Sequence, residues 1–218
     1  MNNEDNKMIM GNIREILTNI KESKMNATYI TPEMIPDIDL YMDQVTTFMD
    51  THLERSKRYK EDKILTKTMI NNYAKNDLLP PPDKKKYSKD HLLLLTFIYY
   101  FKNILSMNDI QTLLFPLKEN YFKTTDNKPL TDIYTEVFDM SKGHLNEIME
   151  DIEAKFNLSK LTFKDSKPTE KDTLNAFSFI CILIYDIYLK KQLVEQIIDQ
   201  INSDGRDNKT DQDKKSRK

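Results

Sequence analysis

Apolar residues recur along the chain at intervals of three and four, the spacing of helices with one buried face. Ile9, Ile13, Ile16, Leu17 and Ile20 share such a face and predict a short amphipathic helix near the N-terminus. Thr31-Pro32 and Ile35-Pro36 then favour extended backbone, because proline disfavours helix in the residue before it. Tyr41, Val45, Phe48, Met49 and either His52 or Leu53 predict a helix to about Glu54, capped by Asp37 or Asp39. After a charged loop over Arg55–Lys63, Thr66 offers a cap for a short helix from Lys67 to about Asn76. Pro80-Pro81-Pro82 stops it, since proline removes a backbone donor. Ser88 caps a hydrophobic helix through about Ile104, and Ser106 caps another over Met107–Leu114, closed by Phe115-Pro116.

The second half has longer periods of apolar spacing. Leu130–Asn157 reads as a long helix with a break near Gly143. Thr169 caps a helix of about thirty residues ending near Ile201. Its middle, Phe179–Leu189, is apolar nearly all round, the pattern of a helix buried on every side. Its later turns narrow to Leu193, Val194, Ile197, Ile198 and Ile201, a seam suited to another helix or a second copy. Residues 203–218 are polar, charged and aperiodic, and are expected to be disordered. The chain thus divides into an N-terminal helix and connector (1–29), a helix-turn-helix domain with a short basic wing (30–118), a C-terminal helical domain (119–202) and a tail (203–218).

Composition agrees with a mostly all-α fold. Three glycines are too few for many tight hairpins. The single cysteine, Cys181, excludes an internal disulfide, and its apolar surroundings predict a buried, inert thiol. His52, His91 and His144 are too scattered for a metal-ligand spacing, so neither metal nor cofactor is expected. Glu4 and Asp5 precede any apolar stretch, against a secretory signal. The run Phe179–Leu189 is interrupted by Asp186 and falls short of the roughly 20 residues that span a bilayer. The expectation is a cytoplasmic protein without a membrane segment. No glycine-rich phosphate loop or nucleophile-base arrangement is present, so an enzyme is not expected.

Charge sharpens this picture, because it is segregated. Residues 1–51 carry 4 Lys/Arg against 9 Asp/Glu, residues 52–91 carry 11 against 6, and residues 119–172 carry 8 against 12. A basic segment between two acidic ones is the footprint a phosphate backbone attracts. Within it, the helix at 67–76 would turn Ile70, Tyr73 and Ala74 one way and Lys67, Thr68, Asn71, Asn72 and Lys75 the other. Lysines neutralise phosphates, and an asparagine presents a donor and an acceptor side by side to adenine's major-groove edge. No acidic residue lies on that arc. Asparagine is a poor helix former, so two adjacent in mid-helix need a compensating reason. Beyond the proline run, Lys84, Lys85 and Lys86 can follow a phosphate backbone, while Tyr87 can pack inward or donate its hydroxyl to a phosphate.

Asn76-Asp77-Leu78-Leu79-Pro80-Pro81-Pro82, then Tyr87 and Asp90, then Leu105-Ser106-Met107-Asn108-Asp109-Ile110-Gln111-Thr112-Leu113-Leu114 resemble the MerR winged-helix family. That family shows Gly-Leu-Leu-Pro, a wing tyrosine and a later Ser-Leu-x-x-Ile-x-x-Leu-Leu helix. Tyr73 stands at the second tyrosine of the family's recognition helix, whereas Asp77 replaces its glycine, Asn71 its arginine, and Lys86 the arginine before the wing tyrosine. The segment Pro36-Asp37-Ile38-Asp39-Leu40-Tyr41-Met42-Asp43-Gln44-Val45, with Leu65-Thr66-Lys67-Thr68-Met69-Ile70-Asn71-Asn72-Tyr73, is similar to the bacterial family filed as domain of unknown function 1836, regarded as MerR-like. The polar-faced helix and basic wing predict a regulator binding double-stranded DNA, and because one short helix contacts too few base pairs to select a site, a homodimer through its C-terminal helices is expected. The alternative is a protein-interaction adaptor on the same scaffold that does not bind DNA.

Overall fold

The computed structural model describes residues 9–25, 29–125 and 128–215; Glu4 and Asp5 lie outside them. In order, the elements are α1 (Ile9–Met25), β1 (Leu40–Tyr41), α2 (Met42–His52), α3 (Lys67–Lys75), β2 (Lys86–Tyr87), α4 (Lys89–Phe101), α5 (Met107–Tyr121), α6 (Leu130–Gly143), α7 (Leu145–Ser159) and α8 (Pro168–Lys215). The fold is mostly α, with one two-stranded antiparallel ribbon. The chain forms two compact units. One holds Tyr29–Phe138 and the chain from Leu193 onward; the other holds Asp139–Gln192 and the chain up to Thr28.

The core of the first unit surrounds α4. Every side chain from His91 to Tyr99 is buried, and Leu92 to Leu95 and Ile98 are fully so. Val45 and Met49 of α2, Ile70 and Tyr73 of α3, and Ile110 and Leu114 of α5 complete it. Tyr134 of α6 is fully enclosed; its hydroxyl donates to the Ile30 carbonyl at 2.7 Å, which ties the segment before β1 to α6. Burial raises the Tyr134 hydroxyl far above its ordinary pKa, so it stays a neutral donor.

Helix ends follow local chemistry. The Thr66 hydroxyl accepts from the Met69 N–H at 3.2 Å, as expected of an N-cap. Neither Asp37 nor Asp39 caps α2. Instead the Gln44 side chain accepts from the Tyr41 N–H at 2.9 Å, the backward half of a capping box. α3 ends in a Schellman motif: the Leu78 N–H reaches the Tyr73 carbonyl (2.8 Å) and the Asp77 N–H that of Ala74 (3.3 Å). Asp77 holds the left-handed position (φ 55°) where glycine is usual. Its carboxylate pairs with the buried Lys118 ammonium at 2.8 Å, so the same residue that strains the turn neutralises a charge in the core.

Two helices, α5 and α8, differ from expectation in their limits. α5 runs through Pro116 to Tyr121, because the last turn is held by burial of Lys118 and packing of Leu117 and Tyr121 on the core. The break near Gly143 is real and separates α6 from α7. α8 begins at Pro168 and continues to Lys215, so the segment from 203 expected to be disordered is helical that far; the Thr169 side chain lies outside those described.

Contrary to expectation, the apolar middle of α8 is not buried on every side. Phe179 is buried against Phe156 of α7 (ring centroids 5.3 Å), but Phe177, Ile180, Ile184, Tyr185, Ile187 and Tyr188 are exposed, and so is Cys181. Nor is α8 too short to be a bilayer span. Its stretch Glu170–Ser203 is long and apolar enough to cross one by length and composition, because a span tolerates the few charges that interrupt an unbroken run.

Candidate nucleic-acid interface

α3 is amphipathic in the sense its sequence predicts. Ile70 and Tyr73 are buried, while Lys67, Thr68, Asn71, Asn72 and Lys75 are all exposed. Burial raises the Tyr73 hydroxyl above its ordinary pKa, in keeping with an inward ring. Among the described residues, none hydrogen-bonds the side-chain amides of Asn71 or Asn72. Asn72 is engaged only through its carbonyl, by the Asn76 amide at 2.8 Å. Two poor helix formers in mid-helix therefore find no compensation among the described residues, at a propensity cost of roughly 0.5 kcal/mol each.

One neighbour invisible in the α3 pattern changes its electrostatics. Asp43, in the first turn of α2, forms an ion pair with Lys67. The arc itself is free of acid, but its first lysine is partly neutralised from an adjacent helix. Both side chains are more than half exposed, so the pair is weak and readily exchanged for a phosphate.

The wing is a short hairpin. β1 pairs with β2 in the register Leu40↔Tyr87 and Tyr41↔Lys86. Asp83–Lys86 closes a tight turn, with the Lys86 N–H on the Asp83 carbonyl at 2.8 Å. Its central residues, Lys84 (φ 46°) and Lys85 (φ 68°), are both left-handed, the mark of a type I′ turn that normally selects Asn-Gly. Two lysines there cost of order 1 kcal/mol each relative to glycine. They stand exposed at the tip; Lys86 instead lies over the Tyr41 ring at 5.2 Å. Of the two orientations open to Tyr87, the structure takes the inward one: the side chain is 3% exposed and meets His91 edge-on (5.4 Å). It is therefore not placed to touch a phosphate, because its strand alternation sends it to the core opposite Lys86.

His91 anchors this hairpin, which sequence reasoning missed. Its Nδ1 accepts from the Ser88 N–H at 2.9 Å, so Nε2 carries the proton and faces the Pro81 carbonyl at 3.4 Å. Tyr87 and Phe122 enclose the ring. Burial holds the imidazole down at about 4, against an ordinary 6.5; Lys123 adds to the depression, and the Pro81 carbonyl and Asp39 oppose it. The available signal was the Ser88-to-His91 spacing, that of a capping box with histidine in the usual Glu/Gln place. Lys63 was likewise passed over: it lines an open groove with Asp50, Thr66 and Lys67 at the start of α3.

The start of α2 brings helix and wing together. Asp43 holds Lys67 of α3, and two residues earlier Tyr41 holds Lys86 of β2. The N-terminal end of α3 and the wing strand therefore converge on the segment Tyr41–Asp43. Among the described residues, no cluster of His, Cys, Asp or Glu is arranged to hold a metal ion.

Residues 30–137 match the family described as Domain of unknown function (DUF1836), which takes in everything from the core tyrosine contact at Ile30 to α6. No curated protein and no solved structure matches the chain.

Proposed function

We propose that the domain spanning residues 30–137, which carries the DUF1836 match, is the DNA-reading part of a cytoplasmic transcriptional regulator rather than an enzyme. The observation that carries this reading is the outward arc of α3: two exposed asparagine amides with no partner among the described residues, flanked by exposed lysines. In that role Asn71 and Asn72 read base edges in the major groove, Lys67, Thr68 and Lys75 contact phosphates beside them, and Lys84 and Lys85 clamp the flanking backbone. The wing strand and the N-terminal end of α3 converge on the start of α2, so helix and wing can engage one stretch of duplex. One short helix contacts few base pairs, so two copies related by a two-fold axis are needed to select a site.

Fluorescence anisotropy of the full chain on duplex DNA over a salt series tests the reading. Each phosphate contact contributes roughly 0.9 to the slope of log K against log salt. Replacing Lys67 and Lys75 by alanine should flatten the slope by about 2 and weaken all sequences equally. Replacing Asn71 or Asn72 should leave the slope and cost about 1–3 kcal/mol on the preferred sequence alone. Absence of salt-dependent binding to any duplex overturns the proposal. One observation favours a protein-binding adaptor instead: beside α2 lies an open, apolar-lined groove formed by Pro36, Leu40 and Phe48, with Ile38 and Tyr41 exposed nearby in sequence. A flat salt series on every duplex is the result that reading requires.

A further inference from the structure

Between α2 and α3 the chain runs from Leu53 to Thr66, far longer than the roughly three- to four-residue turn of an ordinary helix-turn-helix. The extra residues are held in place. Leu53, Ile64 and Leu65 are buried in the core, and the Ile64 carbonyl accepts from Lys102 of α4 at 2.7 Å. The Lys57 side chain, 10% exposed, pairs with Asp50 of α2 at 2.8 Å. At the tip, the Asp62 carboxylate accepts from the Arg58 and Tyr59 N–H groups at 3.2 and 3.0 Å and closes the turn on itself.

These anchors sort the charges. Lys57 and Asp62 are engaged within the fold, whereas Arg55, Arg58, Lys60 and Lys63 are exposed. Among the described residues none of those four forms an ion pair, and only Glu54 and Glu61 oppose them within the loop. The Arg58 guanidinium lies over the exposed Tyr59 ring at 5.3 Å, which sets a cation beside a hydroxyl donor. Lys63 shares an open groove with Thr46 and Thr47 of α2 and with Thr66 and Lys67 at the start of α3. Asp50 also lines that groove, but its carboxylate is taken by Lys57. The cationic surface of α3 therefore continues past its N-terminal end onto the loop.

We infer that this loop is a second phosphate-binding element, in which Arg58, Tyr59, Lys60 and Lys63 hold duplex backbone beyond the α3 contact. The assignment rests on the reading of α3 as a DNA-contacting helix and lengthens its footprint. The wing meets the start of α2 at Tyr41 and the loop meets its last turn at Asp50, about 13 Å further along the axis. Duplex DNA, with one phosphate per roughly 1.7 Å of axis, presents charge continuously over that distance. A small anion would fill the groove at Lys63 and leave Arg58 and Lys60 unused.

Lysine acetylation footprinting of the wild-type chain on duplex DNA tests this without relying on any variant. Lys60 and Lys63 should react about fivefold more slowly in the complex. Replacing Arg58, Lys60 and Lys63 together by alanine should flatten the slope of log K against log salt by roughly 2 to 3, at about 0.9 per phosphate, and weaken every duplex alike. All three side chains are exposed, so circular dichroism should not change. Protection of Lys67 and Lys75 with Lys60 and Lys63 fully reactive, or an unaltered slope in the triple variant, overturns the loop assignment and leaves the α3 reading standing. Protection of the loop lysines alone upholds the loop and removes α3. Equal protection by inorganic phosphate or polyglutamate overturns the duplex as its ligand, and absence of salt-dependent binding to any duplex overturns both readings.

Discussion

Helices α4 and α8 contain apolar runs of similar strength, yet they meet opposite fates. From His91 to Tyr99, α4 is sealed by α2, α3, α5 and α6 of its own unit. From Phe177 to Tyr188, α8 is sealed along one side and open along the other. Apolarity specifies that a face must be covered; it does not specify by whom. The run on α4 is enclosed by the chain's own helices and serves stability, whereas the run on α8 is left open along one side.

Matched truncations in the two helices should have unequal costs. Leu94→Ala in α4 should cost about 2–5 kcal/mol in urea unfolding, because it opens a cavity in a close-packed core. Ile184→Ala in α8 should cost under about 0.5 kcal/mol, because the side chain is more than half exposed. Equal costs at the two sites would erase the distinction.

The next effect belongs to the start of α4. His91 has a folded-state pKa of about 4 and an unfolded value near 6.5, so the unfolded chain binds more protons between those pH values. Stability is therefore full above about pH 6.5 and falls as the pH drops toward 4, by about 3 kcal/mol in all. Unfolding free energies measured across that range should decline in the wild type and flatten in His91→Gln.

Outward-facing positions should trade stability the other way. Replacing Lys84-Lys85 by Asn-Gly relieves two left-handed lysines and should raise the unfolding free energy by about 1 kcal/mol, while flattening the salt slope of DNA binding by about 2. A gain in stability with unchanged DNA binding would remove the wing from the interface. The smallest effect is expected at Asp43. Asp43→Asn frees Lys67 from an exposed pair worth roughly 0.2–1 kcal/mol, and should tighten binding to all duplexes two- to fivefold.

Local signals were legible and non-local ones were not. The Thr66 and Ser106 caps, the inward pair Ile70 and Tyr73, and the outward arc from Lys67 to Lys75 follow from spacing within a single helix. The Asp43–Lys67 pair, the Tyr41–Lys86 contact and the His91–Pro81 contact join segments whose separation in sequence hides their proximity. Tyr87 turned inward because β1, a strand of two residues with no alternating pattern to announce it, fixes the register of the wing. Pro116 failed to stop α5 because packing on the core outweighed the lost backbone bond. The open face of α8 was misread for a deeper reason: an all-round apolar helix looks the same whether its own chain or another copy covers it.

Selection of bound duplexes from a random pool measures whether the α3 arc reads bases. The wild-type chain should enrich a motif with two-fold symmetry, and the double variant Asn71→Ala, Asn72→Ala should bind the pool with the same salt dependence while enriching none. Enrichment of the same motif by both proteins, or of no motif by either, contradicts it.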